Sequence, residues 1–98
     1  MIPLPTSNPA AGLIEDTLLH YGISRAEAAR AMAIPPSRLC DIIKGRKGVS
    51  ADTALRFEQC FKISSEWLMK VQASYDYSKA FHTKAAKIRK EVISLVPS

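Results

Sequence analysis

The sequence predicts an all-α fold in which five to six helices form one small bundle. Three observations predict it. Apolar residues recur at i, i+3 and i+4 along most of the chain, a cap residue precedes each such run, and strand-like alternation is almost absent. Ninety-eight residues are enough for one core, so the chain reads as a single domain, 1–98.

The first helix is expected in "NPAAGLIEDTLLHYG". Asn8 is its N-cap, Pro9 sits at the first helical position, Leu13, Ile14, Leu18 and Tyr21 form one apolar face, and Gly22 ends it. A second, short helix follows in "SRAEAARAMA", where Ser24 and Glu27 have capping-box spacing and Ala28, Ala29 and Met32 make a narrow face suited to close packing. The third lies in "PPSRLCDIIKG". Pro36 fixes φ near the helical value at a position whose N–H has no intrahelical partner, Leu39, Ile42 and Ile43 turn inward, and Gly45 stops the run. A fourth helix starts at Ser50 with Ala54, Phe57 and Phe61 inside, and a fifth at Ser64 or Ser65 with Trp67, Val71 and Tyr75 four residues apart. Beyond Phe81, the stripe of Ile88, Val92, Leu95 and Val96 under a cationic face predicts a sixth helix ending before Pro97.

Composition narrows the function. Hydrophobic residues make up 47% of the chain and charged residues 23%, as in an ordinary globular protein, with no apolar run of membrane-spanning length. The N-terminus "MIPLPTSNPAAG" has neither a cationic start nor a continuous apolar stretch, so no secretory signal and a cytoplasmic location are expected. Cys40 and Cys60 read as small packed thiols, and His20 and His82 stand apart from any ligand-spaced cluster, so neither metal nor cofactor is expected. Phosphate loops, paired catalytic carboxylates and nucleophile elbows are missing, which argues against an enzyme.

The net charge of +5 suits a polyanionic partner, and its distribution points further. Arg38, Lys44, Arg46 and Lys47 are opposed within residues 35 to 48 only by Asp41, while Lys79, Lys84, Lys87, Arg89 and Lys90 crowd the end of the chain. A short helix, a tight turn, a proline-started second helix and a basic exit loop follow in the order of a repressor-like helix-turn-helix that docks on double-stranded DNA. In that arrangement Pro36, Ser37, Arg38 and Asp41 face base edges, with Arg38 foremost because its fork matches guanine. Arg25, Lys44, Arg46 and Lys47 are assigned to phosphates. One short helix reads few base pairs, so a homodimer is expected, with Trp67, Val71, Tyr75 and Phe81 at its interface.

The stretch from Ser24 to Asp76 resembles the Xre-type helix-turn-helix antitoxins of the HigA and VapI group. "GRKGVSADTALR" and "QASYD" are the most specific pieces, and the resemblance covers residues 8–76, leaving 77–98 as a C-terminal helical extension. It implies a dimer that binds operator DNA, represses its own operon and silences a small ribonuclease toxin that cleaves messenger RNA. Ala33 stands where the group usually has glycine in the turn, and Pro35 where it usually has a Ser or Thr cap. A basic toxin favours acidic contacts, which places it nearer Glu15 and Asp16 than the cationic tail. A stand-alone repressor without a toxin and a protein-interaction module are the alternatives.

Overall fold

A computed structural model describes residues 7–97; the N-terminal stretch read for a secretory signal begins outside them. Five helices follow one another: α1 (Pro9–Tyr21), α2 (Arg25–Met32), α3 (Pro36–Ile43), α4 (Ala51–Phe61) and α5 (Ser65–Glu91), with no strand among the described residues. No helix among them is long and apolar enough to cross a membrane.

Caps set the helix starts where the sequence placed them. Asn8 Oδ1 accepts from the Ala10 amide, Ser24 Oγ from Glu27, Ser50 Oγ from Thr53 and Ser64 Oγ from Trp67. Gly22 closes α1 in the left-handed conformation at φ 65°. Ile14 and Leu18 of α1, Ala28, Ala29 and Met32 of α2, Leu39 and Ile42 of α3, Ala54 and Phe57 of α4 and Leu68 of α5 meet in one core. The alanines on α2 keep side-chain volume small, which lets α3 pack close beside it.

Three details differ from the sequence reading. The expected sixth helix is not separate: α5 runs unbroken for 27 residues and ends at Val92, whose extended backbone leaves Leu95 and Val96 beyond the helix. Nothing between Phe81 and Ile88 breaks a helix, since the segment holds neither proline nor glycine. Tyr21 is not on the inner face of α1. It is 58% exposed, because it closes the last turn, and its ring stacks against Phe61 at 6.1 Å between centroids. The buried residues of α5 are Leu68 and Gln72, one position past the row of Trp67, Val71 and Tyr75. The described residues extend 54 Å in one direction and only 24 and 22 Å across, in keeping with a helix of roughly 40 Å that outruns the bundle.

Candidate nucleic-acid interface

The turn between α2 and α3 carries a backbone cost. Ala33 caps α2 at φ 57° and ψ 44°, a left-handed conformation in which a β-carbon costs about 1–2 kcal/mol. Hydrogen bonds hold it there: the Ala33 amide donates to the Arg30 carbonyl at 3.1 Å and the Ile34 amide to Ala29 at 3.0 Å. Arg56 of α4 adds a clamp, its Nη1 donating to the carbonyls of Met32 at 3.1 Å and Ala33 at 3.3 Å. The sequence reading did not single out Arg56.

Proline then starts α3. Pro35 is its N-cap and provides no side-chain acceptor, and Pro36 occupies the first turn. Leu39 and Ile42 are buried and Ile43 partly so, which fixes the rotation of the helix. At helical spacing, Ser37, Asp41 and Lys44 lie on the side opposite this core face, and Pro36, Ser37 and Arg38 are exposed. Of the residues assigned to base edges, Ser37 and Asp41 therefore share the outward side, with Arg38 on one flank and Pro36 on the other.

The chain leaves α3 through Lys44 and Gly45, the latter at φ 77°. Asp41 ties the exit loop to the helix. Its carbonyl accepts from the amides of Arg46 at 2.8 Å and Lys47 at 3.3 Å, and its carboxylate lies 3.5 Å from Arg46 Nη1 and 3.9 Å from Lys47 Nζ. The fold thus brings Arg46 and Lys47, two of the four cations assigned to phosphates, against a residue assigned to bases. Arg25 sits at the start of α2, 3.8 Å from Glu15, and Asp16 is exposed beside that pair on α1. Arg38 Nη1 lies 3.8 Å from Oδ2 of Asp52, an acidic residue in the first turn of α4.

Beneath the loop is a polar contact that local sequence patterns do not reveal. Gln72 of α5 is 3% exposed, and its Oε1 accepts from Asn8 Nδ2 and from the Val49 amide, both at 2.9 Å. Its Nε2 donates to Asp76 Oδ1 at 2.8 Å. The two most specific pieces of the resemblance, "GRKGVSADTALR" and "QASYD", therefore meet through Val49, Gln72 and Asp76. No buried side-chain polar atom among the described residues lacks a partner.

The residues assigned to a dimer contact are spread along α5. Trp67 is 49% and Phe81 43% exposed, while Val71 and Tyr75 are half-buried. Farther along, Tyr77, Ala80, Phe81, Ala85 and Ile88 line an apolar groove flanked by Arg89.

No protein-family model matches the chain. Individual proteins do. It is 32% identical over 77 residues to virulence-associated protein I of Dichelobacter nodosus, a match spanning 79% of this chain and 71% of that protein. Its fold is similar to that of an addiction module antidote protein of a HigA family from Coxiella burnetii, with TM-score 0.75 and 32% identity over 96% of this chain and 99% of that one. It is also similar to the Pseudomonas aeruginosa antitoxin HigA solved with the higBA promoter, with TM-score 0.80 and 28% identity over 94% of this chain and all of that one. The identity, the near-complete coverage and the shared helical architecture agree with the motifs in the sequence: the chain belongs to the HigA/VapI family of helix-turn-helix antitoxins.

Proposed function

We propose that this chain is the antitoxin of a toxin–antitoxin module, which binds operator DNA as a homodimer, represses its own operon and neutralises a small mRNA-cleaving toxin. The observation that carries the DNA part is the outward surface of α3, where Ser37 and Asp41 lie across the helix from the buried Leu39 and Ile42 and the exposed Arg38 lies on the flank. Such a surface enters the major groove, while Lys44, Arg46, Lys47 and Arg25 take phosphates on either side. The likeness to an antitoxin solved with its promoter supports this reading.

Two helices reading two half-sites about 34–36 Å apart require a two-fold dimer. Trp67, Val71, Tyr75 and Phe81 are assigned to its contact, and toxin binding to the acidic part of α1 around Glu15 and Asp16.

The test is copurification of the protein with the product of its neighbouring reading frame, followed by a mobility shift on DNA upstream of both. A shift that weakens with salt at a log–log slope of about −0.9 per phosphate contacted, together with capture of a small basic protein, is the expected result. A specific shift with no captured partner would make the chain a stand-alone repressor. Absence of any shift at low salt would remove the DNA role.

A further inference from the structure

Asp52 stands in the first turn of α4 and its carboxylate faces two guanidinium groups. Arg56 Nε donates to Oδ2 at 2.9 Å, and Arg38 Nη1 lies 3.8 Å from the same oxygen. Arg56 is itself bound to the Met32 and Ala33 carbonyls, so contacts run without a gap from the α2–α3 turn through Arg56 and Asp52 to Arg38.

The helix dipole favours a carboxylate in this turn, but neither ion-pair stability nor affinity for DNA explains its placement against Arg38. The Asp52 side chain is 59% exposed, and ion pairs so exposed contribute little to folding. A negative charge beside a surface that faces phosphates weakens association with every DNA sequence. Orientation does explain it. An arginine pays rotamer entropy each time it is fixed on a base, and a side chain already steered by a carboxylate pays less. The carboxylate is in turn held by Arg56, which is anchored on the backbone turn that sets the angle of α3.

We propose that Asp52 is a positioning residue that aims Arg38 at its base, with Arg56 fixing Asp52, so that the protein gains sequence discrimination and gives up affinity for DNA in general. The inference rests on the reading of Arg38 as a base reader. It differs from a dipole role for Asp52, which would affect only folding.

The experiment measures binding of the full chain to two probes: a duplex that the unaltered protein selects from a random library, and a mixed-sequence duplex. Asp52→Asn should bind the mixed duplex about two- to threefold more tightly, yet its selected-to-mixed ratio should fall about three- to tenfold. Asp52→Glu, which keeps the charge, should recover part of that ratio, and thermal melts of both variants check the fold. In an Arg38→Ala background, Asp52→Asn should leave the ratio unchanged. A wild-type ratio for Asp52→Asn, or an equal loss with and without Arg38, overturns the proposal while leaving Arg38 as reader. Equal losses on both probes for Arg38→Ala alone overturn the base-reader assignment and the proposal with it.

Discussion

A β-carbon on Gly48 would lie 3.1 Å from Nε2 and 3.3 Å from Cδ of Gln72. The amide is held in place by hydrogen bonds to Asn8, Val49 and Asp76. Gly48→Ala should therefore cost about 1–3 kcal/mol, read from denaturant unfolding, through forced displacement of a buried hydrogen-bonded group. The loop bearing Lys44, Arg46 and Lys47 would shift with it and DNA affinity should fall as well. An unchanged unfolding midpoint would show that the Gln72 amide moves freely.

Ala33 invites the opposite change. At φ 57° its β-carbon is strained, and glycine there removes the strain while adding freedom to the unfolded chain. The net gain from Ala33→Gly should be about 0.5–1 kcal/mol, visible as a higher melting temperature. A lower one would mean that the clamp from Arg56 depends on the methyl group.

Glu58 makes folding sensitive to acid. The Ser65 backbone amide donates to its Oε1 at 2.6 Å, and this bond, followed by the Ser65 hydroxyl, holds the Glu58 carboxyl below the ordinary glutamate range. A folded-state pKa below the unfolded one gives stability that is fully present above the unfolded value and disappears as pH falls through the folded value. Glu58→Gln should therefore melt lower than the unaltered protein near neutral pH, and the gap should close in acid. A gap that is constant with pH would assign the effect to packing.

The exposed aromatic residues of α5 predict self-association. Tyr77 and Phe81 lie with ring centroids 6.5 Å apart and are 63% and 43% exposed, and Trp67, ten residues before Tyr77 on α5, is 49% exposed. Apolar surface of this kind on a small protein marks an interface. The unaltered protein should sediment as a dimer at micromolar concentration, and Phe81→Ser should shift it toward monomer with little loss of helix content. A monomeric unaltered protein would leave this surface for another partner.

Truncation after His82 separates the two ends of the molecule. It removes the last turns of α5 with Lys84, Lys87, Arg89 and Lys90. If the acidic part of α1 carries the toxin contact, the truncated protein should still capture the toxin, while dimerisation and DNA affinity weaken. A folded truncation that no longer captures it, with charge reversal at Glu15 and Asp16 having no effect, would move the contact to the tail.

Much of the architecture was legible because its causes are local. Asn8, Ser24, Ser50 and Ser64 announce helix starts through bonds that span two or three residues. The i, i+3 spacing of Leu39 and Ile42 leaves Ser37 outward and Arg38 on the flank of α3. The continuity of α5 was harder to read. A stripe of Ile88, Val92 and Leu95 suggests a packed helix of its own, yet Ile88 is 48% and Leu95 95% exposed, so no internal packing sets a boundary there.

By itself the sequence determined the all-α class, the places where the five helices begin, the proline-started α3 and the group of cations that follows it, since propensity, capping and periodicity act within a few residues. Only the tertiary structure decided that Arg56 closes the turn at Ala33, that Asp52 faces Arg38, and that Gln72 joins Asn8 to Val49 across 64 and 23 positions of chain. Those partners are chosen by how the helices pack. A buried amide must find donors and acceptors wherever the fold brings them, and no local pattern records which distant residue that will be.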